Sequence, residues 1–201
     1  MTLPIWVNIA VEDSLSDSVL RRLLASSGKR YEVAQSFSRG GFGYLKSTIK
    51  GFNVAARGTP FVVLTDLDSA PCASGLIEQW LPVPRHHNLL FRVAVREVEA
   101  WLLADRANLA VHLAVAESHI PRDPDALRDP KQKLIEAAKK SRRREIREAI
   151  VPARNTTAKQ GPDYNDFLGR FVAGSWDPAT AKNSSESLNR AIKCLNEFVP
   201  R

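Results

Sequence analysis

Two aspartates stand directly behind the most apolar run of the chain, in Phe61-Val62-Val63-Leu64-Thr65-Asp66-Leu67-Asp68-Ser69. Side chains two apart in an extended chain share a face, so this spacing sets Asp66 and Asp68 to converge on one cation. Glu12 follows an earlier apolar run, and Glu97 and Glu99 follow a later one. These carboxylates are hard oxygen ligands of the kind that magnesium and manganese take. A cation held by few of them keeps positions open for phosphate oxygens and water, which suits phosphoryl transfer or phosphodiester hydrolysis. The competing reading makes each acid a solvated residue at a strand end, or in a first helical turn favoured by the helix dipole.

Other chemistry finds less support. His86, His87, His112 and His119 lack a carboxylate or cysteine partner at ligand spacing, and Cys72 and Cys194 form no CxxC or Cys/His pattern, so zinc is not expected. There is no G-x-S-x-G elbow for a serine nucleophile. The turn Ser38-Arg39-Gly40-Gly41-Phe42-Gly43 lets backbone N–H groups approach a phosphate beside Arg39, Lys46 and Lys50. It lacks the spacing of a P-loop or a dinucleotide fingerprint and reads first as a flexible turn. A D-x-D also marks haloacid-dehalogenase-like phosphatases. Those place the nucleophile after their first strand and a hydroxyl residue two positions beyond the pair, where this chain has Ala70.

The elements that must position the acids follow from periodicity. Residues 5–11, 31–37, 61–64 and 88–95 read as strands, and the near-continuous apolar runs mark strands buried on both faces. Between them lie helical segments: one with Leu15, Val19, Leu20, Leu23 and Leu24 at helical spacing, capped by Ser14 or Ser16; one running to Ala56; and one over 76–81. This alternation predicts an α/β fold with a mainly parallel sheet of four to five strands flanked by helices, whose ligands sit at the carboxyl ends of central strands. Residues 96–105 read as a helix on which Glu97 and Glu99 lie about 160° apart. Glu97, nearer the strand end, is then the expected companion of Asp66 and Asp68, while Glu99 serves a second ion or pairs with a basic residue. Beyond it come helices over 107–116, 131–150, 165–172 and 184–198, forming a helical C-terminal extension.

With 201 residues, 44% hydrophobic and 25% charged, the chain suits an α/β core at 1–105 and a basic helical extension at 106–201 packed on it. Of the formal charge of +7, +6 lies in the second half. Candidate nucleic-acid contacts are Arg39, Lys46 and Arg96 in the core and Lys131, Lys139, Lys140, Arg142, Arg143 and Arg144 beyond it, with DNA or RNA the expected partner and salt-sensitive affinity. The plainer reading of the basic run is a solvated helix face tempered by Glu136, Glu145 and Glu148. No apolar run approaches a membrane span and the start has no basic leader, so no membrane partner and a cytoplasmic location are expected.

Val7-Asn8-Ile9-Ala10-Val11-Glu12 followed by a helix, and Val62-Val63-Leu64-Thr65-Asp66-Leu67-Asp68, resemble the strand-end glutamate and D-x-D of the TOPRIM domain, the metal-binding unit of topoisomerases, primases and overcoming-lysogenization-defect nucleases. Residues 92–105, Gly161-Pro162-Asp163-Tyr164-Asn165 and Trp176-Asp177-Pro178 are similar to small bacterial TOPRIM-like proteins with a helical C-terminal region. The resemblance covers most of the chain. It implies a Rossmann-like core and Mg2+ (or Mn2+) on Glu12, Asp66 and Asp68. Glu12 would also serve as general acid or base, and Glu97 or Glu99 would supplement the site. The implied activity is metal-dependent hydrolysis of nucleic-acid phosphodiesters, with a role in defence against foreign DNA and a protein partner from the same defence system. TOPRIM domains usually place Gly directly after the first glutamate; Asp13 here alters the turn or adds a ligand. The alternative is a non-catalytic subunit that binds nucleic acid or a partner without cutting.

Overall fold

The apolar runs form four parallel strands, β1 (Ile5–Ala10), β2 (Tyr31–Phe37), β3 (Phe61–Asp66) and β4 (Leu89–Ala94), in the order β2-β1-β3-β4. The computed structural model describes residues 3–38 and 40–201; Arg39 lies outside the described residues. Strand alternation sorts the side chains. Val7, Ile9, Val62, Leu64, Leu90 and Ala94 join the apolar layer on one face, and Ala10, Phe61, Val63, Leu89, Phe91 and Val93 join the layer on the other. Helix α1 (Ser14–Ser26) covers the first face, and α2 (Gly41–Ala55) and α3 (Ala73–Trp80) cover the second. The chain therefore leaves the adjacent strands β1 and β3 toward opposite faces. The crevice between their carboxyl ends is a topological switch point, the place where open α/β sheets keep ligands.

The second half adds α4 (Val98–Leu103), α5 (Arg106–Leu113), a 3-10 turn (Glu117–His119), α6 (Pro130–Ala138), α7 (Arg144–Ile150), α8 (Tyr164–Gly174), α9 (Pro178–Ala181) and α10 (Glu186–Glu197). Their apolar residues enter the same layer as α1, so the sheet and the C-terminal helices share one core. All six residues of α4 are buried at its centre. Polar groups carried inward there are paired, as burial requires. The Trp101 indole donates to Ser187 Oγ at 2.7 Å and the Trp176 indole to the Trp101 carbonyl at 3.2 Å. Buried Asp105 accepts from the Asp177 backbone N–H at 2.8 Å and from Asn108 at 3.0 Å. Among the described residues no helix is long and apolar enough to cross a membrane.

Three local expectations change. Asp13, not Ser14 or Ser16, caps α1, accepting from the Ser16 N–H at 2.8 Å with an extended backbone. The helix expected over 131–150 is two helices, because buried Ser141 interrupts it. Ser141 Oγ accepts from the Arg143 N–H at 3.2 Å, its carbonyl accepts from Arg147 at 2.5 Å, and the Arg142 N–H turns away to the Ala114 carbonyl. The segment at 96–105 becomes helical only from Val98; Glu97 is still extended, at φ −140° and ψ 159°.

Gly161 joins α7 to α8 by close backbone approach. Its N–H donates to the Ile150 carbonyl at 2.9 Å, and a Cβ there would lie 2.7 Å from the carbonyl carbons of both Ala149 and Ile150. No flexible side chain can yield to it. Gly161→Ala is expected to destabilise the protein by about 3 kcal/mol, the upper end for overpacking, because the backbone itself must part. Urea denaturation checks this; an unchanged midpoint would contradict the tight approach.

Candidate functional site

Ala10 pairs with Val63, so Glu12, two residues further along, comes level with the end of β3. Its Oε1 accepts from the Thr65 hydroxyl and from the Asp66 backbone N–H, the latter at 3.0 Å. Asp66 Oδ1 in turn accepts at 3.0 Å from the N–H of Val98, one of the first-turn donors that a helix cannot satisfy internally. Glu97 Oε2 accepts from the Lys131 N–H at 2.8 Å, at the start of α6. Glu99, only 2% exposed, receives the Tyr164 hydroxyl at 3.0 Å and the Lys131 ammonium at 3.4 Å on Oε1. The switch point thus gathers Glu12, Asp66, Glu97 and Glu99 from the ends of β1 and β3 and the start of α4. Each commits one oxygen to a protein donor, and none of the four remaining oxygens is a sealed atom.

Crowding and burial raise the proton affinity of every member. Burial holds Asp66 well above the ordinary carboxylate range, reinforced by the charges of Glu99, Glu12, Asp68 and Glu97. Burial also lifts Glu12, against the hydrogen bonds from Thr65 and the Asp66 N–H. Glu97 is pushed up to about 7 by burial and then by Glu99, more than Lys131 offsets. Burial raises Glu99 despite Lys131 and Tyr164, while Lys131, which burial alone would lower, is carried upward by Glu99 and Glu97. Burial and then Glu99 hold the Tyr164 phenol well above its usual range. Both partners of the Lys131–Glu99 pair rise. The ammonium is firmly charged, but its field is shared between two acids and does not fully compensate the more deeply buried one.

Other expected members sit differently. The strand ends at Asp66, and Asp68 is exposed with a left-handed backbone, φ 49°, so the alternation that would set the two aspartates side by side is broken. The charge of Asp68 still reaches Asp66 and Glu12. Arg96 is not a free cation: its guanidinium donates to the carbonyls of Asp68 and Ala70 at 3.0 and 2.8 Å and fixes that loop. The expected 160° separation of Glu97 and Glu99 does not apply, because Glu97 precedes the helix; Lys131 meets both. Lys131 itself leaves the basic face and turns inward. Lys46 is exposed on α2, 5.8 Å from the Phe42 ring centre. Lys139, Lys140, Arg142 and Arg143 are exposed between α6 and α7 and have no ion pair among the described residues, whereas Arg144 binds Glu148 at 2.7 Å. Asp13 is spent on the α1 cap.

Sequence reasoning missed Thr65, Tyr164 and the inward role of Lys131. Thr65 shows itself only through the β1–β3 register. Tyr164 lies in the Gly161-Pro162-Asp163-Tyr164 segment, whose distinctiveness was the available signal. Among the described residues no group of three or more His, Cys, Asp or Glu side chains is arranged to hold a metal ion directly. No family model, curated protein or solved structure matches the chain.

Glu97 binds its proton more tightly folded than unfolded, so it withdraws stability as pH rises from 4.5 to about 7. It is partly open to water, and after discounting for screening the loss is on the order of 1 kcal/mol at alkaline pH. Glu97→Gln keeps an acceptor for the Lys131 N–H. It is expected to raise Tm by about 2–4 °C above pH 8 and to change nothing near pH 4.5. An equal change at both pH values in thermal melts would contradict the assignment.

Proposed function

We propose that the carboxylates at the β1/β3 switch point hold magnesium or manganese, and that the protein is a TOPRIM-like nuclease hydrolysing phosphodiesters of DNA or RNA. The observation that carries this reading is four clustered carboxylates of raised proton affinity, with the Lys131 ammonium paired, among the described residues, to Glu99 alone at 3.4 Å. Their donor chemistry fits the ion: oxygen only, each with one oxygen not committed to a protein donor. Among the described residues no three are arranged around one point, so direct protein ligands to an ion would number one or two. That suits magnesium, which keeps several waters and is bound through few carboxylates plus substrate phosphates.

Bound metal supplies polarisation of a phosphate oxygen and a more acidic water. Asp66, fixed by the Val98 N–H, is the principal ligand at the end of β3. Glu12, held on one oxygen by Thr65 and the Asp66 N–H, presents the other as proton acceptor and donor, and burial raises its proton affinity in the direction that suits such work. Lys131 and Tyr164 hold Glu99, and the Lys131 N–H holds Glu97, so these groups act as positioning residues. Lys139, Lys140, Arg142 and Arg143 begin at the far end of α6, about 12 Å from Lys131 along the axis, and contact strand phosphates outside the cleavage point. The sequence resemblance extends the proposal to defence against foreign DNA, together with a partner protein of the same system.

A second reading, a binding subunit that does not cut, draws on the Lys131 ammonium already seated among the acids and on the missing three-ligand arrangement. Cleavage assays with duplex DNA, single-stranded DNA and RNA separate the two. Wild type is expected to cut at least one substrate with magnesium or manganese and none in EDTA, and Asp66→Asn to cut on the order of 100-fold more slowly or worse while remaining folded. Nucleic-acid binding that is unchanged by EDTA, with no cleavage under either metal, would replace the nuclease with the binding subunit.

A further inference from the structure

A second polar feature lies on the edge strand β4, and none of the carboxylates at the switch point lines it. Arg92 occupies the middle of β4, paired in register with Leu64 of β3, on the face that α10 covers. Its Nε is sealed from solvent with no hydrogen-bond partner, and the guanidinium forms no ion pair among the described residues. The half-buried Arg92 lies in the wall shared by two adjoining clefts, of about 580 and 290 Å3, between β4 and α10.

The surroundings define what these clefts accept. Arg85, Arg190 and Lys193 line the larger one with Arg92, together with His86 and His87. The nearby acids are already engaged. Glu186 binds Arg190 at 2.7 Å, Glu197 lies 3.9 Å from Lys193, and Asp125 accepts from Ser185 Oγ and the Ser187 N–H at 2.8 and 3.2 Å. Arg92 and Arg85 therefore carry two charges with no protein counter-charge among the described residues. Leu89, Leu90 and Phe198 supply an apolar wall. A guanidinium offers a planar fork of donors that matches phosphate oxygens, and several cations around one cavity favour a multiply charged anion over a single carboxylate. The volume lies within the range of small-ligand sites.

We propose that this cleft binds a phosphate group on a small organic ligand of mononucleotide size, with Arg92 as the central contact and Arg85 and Arg190 closing around it. The site is independent of the metal reading. The phosphate source is either a free nucleotide or the phosphorylated end of a strand, and both present the same chemistry to Arg92.

Calorimetry in EDTA silences any divalent ion. The probes are inorganic phosphate, AMP, and short oligonucleotides with either a 5′-phosphate or a 5′-hydroxyl. AMP or the 5′-phosphorylated oligonucleotide is expected to bind the wild-type chain. Arg92→Gln should weaken it roughly tenfold or more, and Asp66→Asn should leave it unchanged. The double variant Arg85→Ser/Arg190→Gln changes only exposed residues and guards against misfolding; it should weaken binding in the same direction with an unaltered melting curve. Binding of the oligonucleotide only when it carries the 5′-phosphate, with no binding of AMP, assigns the strand end as the source. Binding of none of the probes, or equal affinity in wild type and Arg92→Gln, would overturn the proposal.

Discussion

The parallel pairing of β1 with β3, in the register that sets Ala10 against Val63, is the constraint from which the site follows. It carries Glu12 to the Thr65 hydroxyl and the Asp66 N–H, so two acids from positions more than fifty residues apart share one crevice. The α1 and α3 connections leave on opposite faces and keep that crevice open. The crowding is tolerated because the core is large. A fully buried Val or Leu contributes about 1.5–3 kcal/mol, and both faces of the sheet are lined with such residues. Repulsion of order 1 kcal/mol at Glu97 is small beside it.

The basic half of the chain has two electrostatic roles. Inward, α6 delivers Lys131 and α8 delivers Tyr164, the groups that hold Glu99 and Glu97 in place. Outward, the break at buried Ser141 converts one long basic helix into two short ones and exposes Lys139, Lys140, Arg142 and Arg143 on the connection. Tight contacts secure the inward role. Gly161 holds α8 against α7, and Trp176 and Asp177 are bonded to Trp101 and Asp105 around α4. The C-terminal helices thus complete the acidic crevice as well as covering the sheet.

The sheet was legible because strands buried on both faces leave uninterrupted apolar runs; the four strands fall within two residues of the runs at 5–11, 31–37, 61–64 and 88–95. Glu12, Asp66, Glu97 and Glu99 were legible because they follow those runs. What escaped depends on where regular structure stops. Residue spacing predicts that Asp66 and Asp68 align only while the chain stays extended, and it turns left-handed at Asp68. A helical wheel separates Glu97 from Glu99 only if both are in the helix, and Glu97 is not. Lys131 reads as part of a basic face until the packing of α6 against α4 turns it inward. Thr65 and Tyr164 gain meaning only through partners 53 and 65 residues away.

Titration of manganese into metal-free protein, followed by calorimetry in two buffers of different ionisation heat, tests the central claim most directly. Just below the proton affinity of Glu97, the acidic crevice should bind the ion saturably and release protons as its carboxylates ionise, and the double variant Glu12→Gln/Asp66→Asn should lose both effects. Absence of saturable binding, or binding without proton release that survives in the double variant, would contradict a cation site at the β1/β3 switch point.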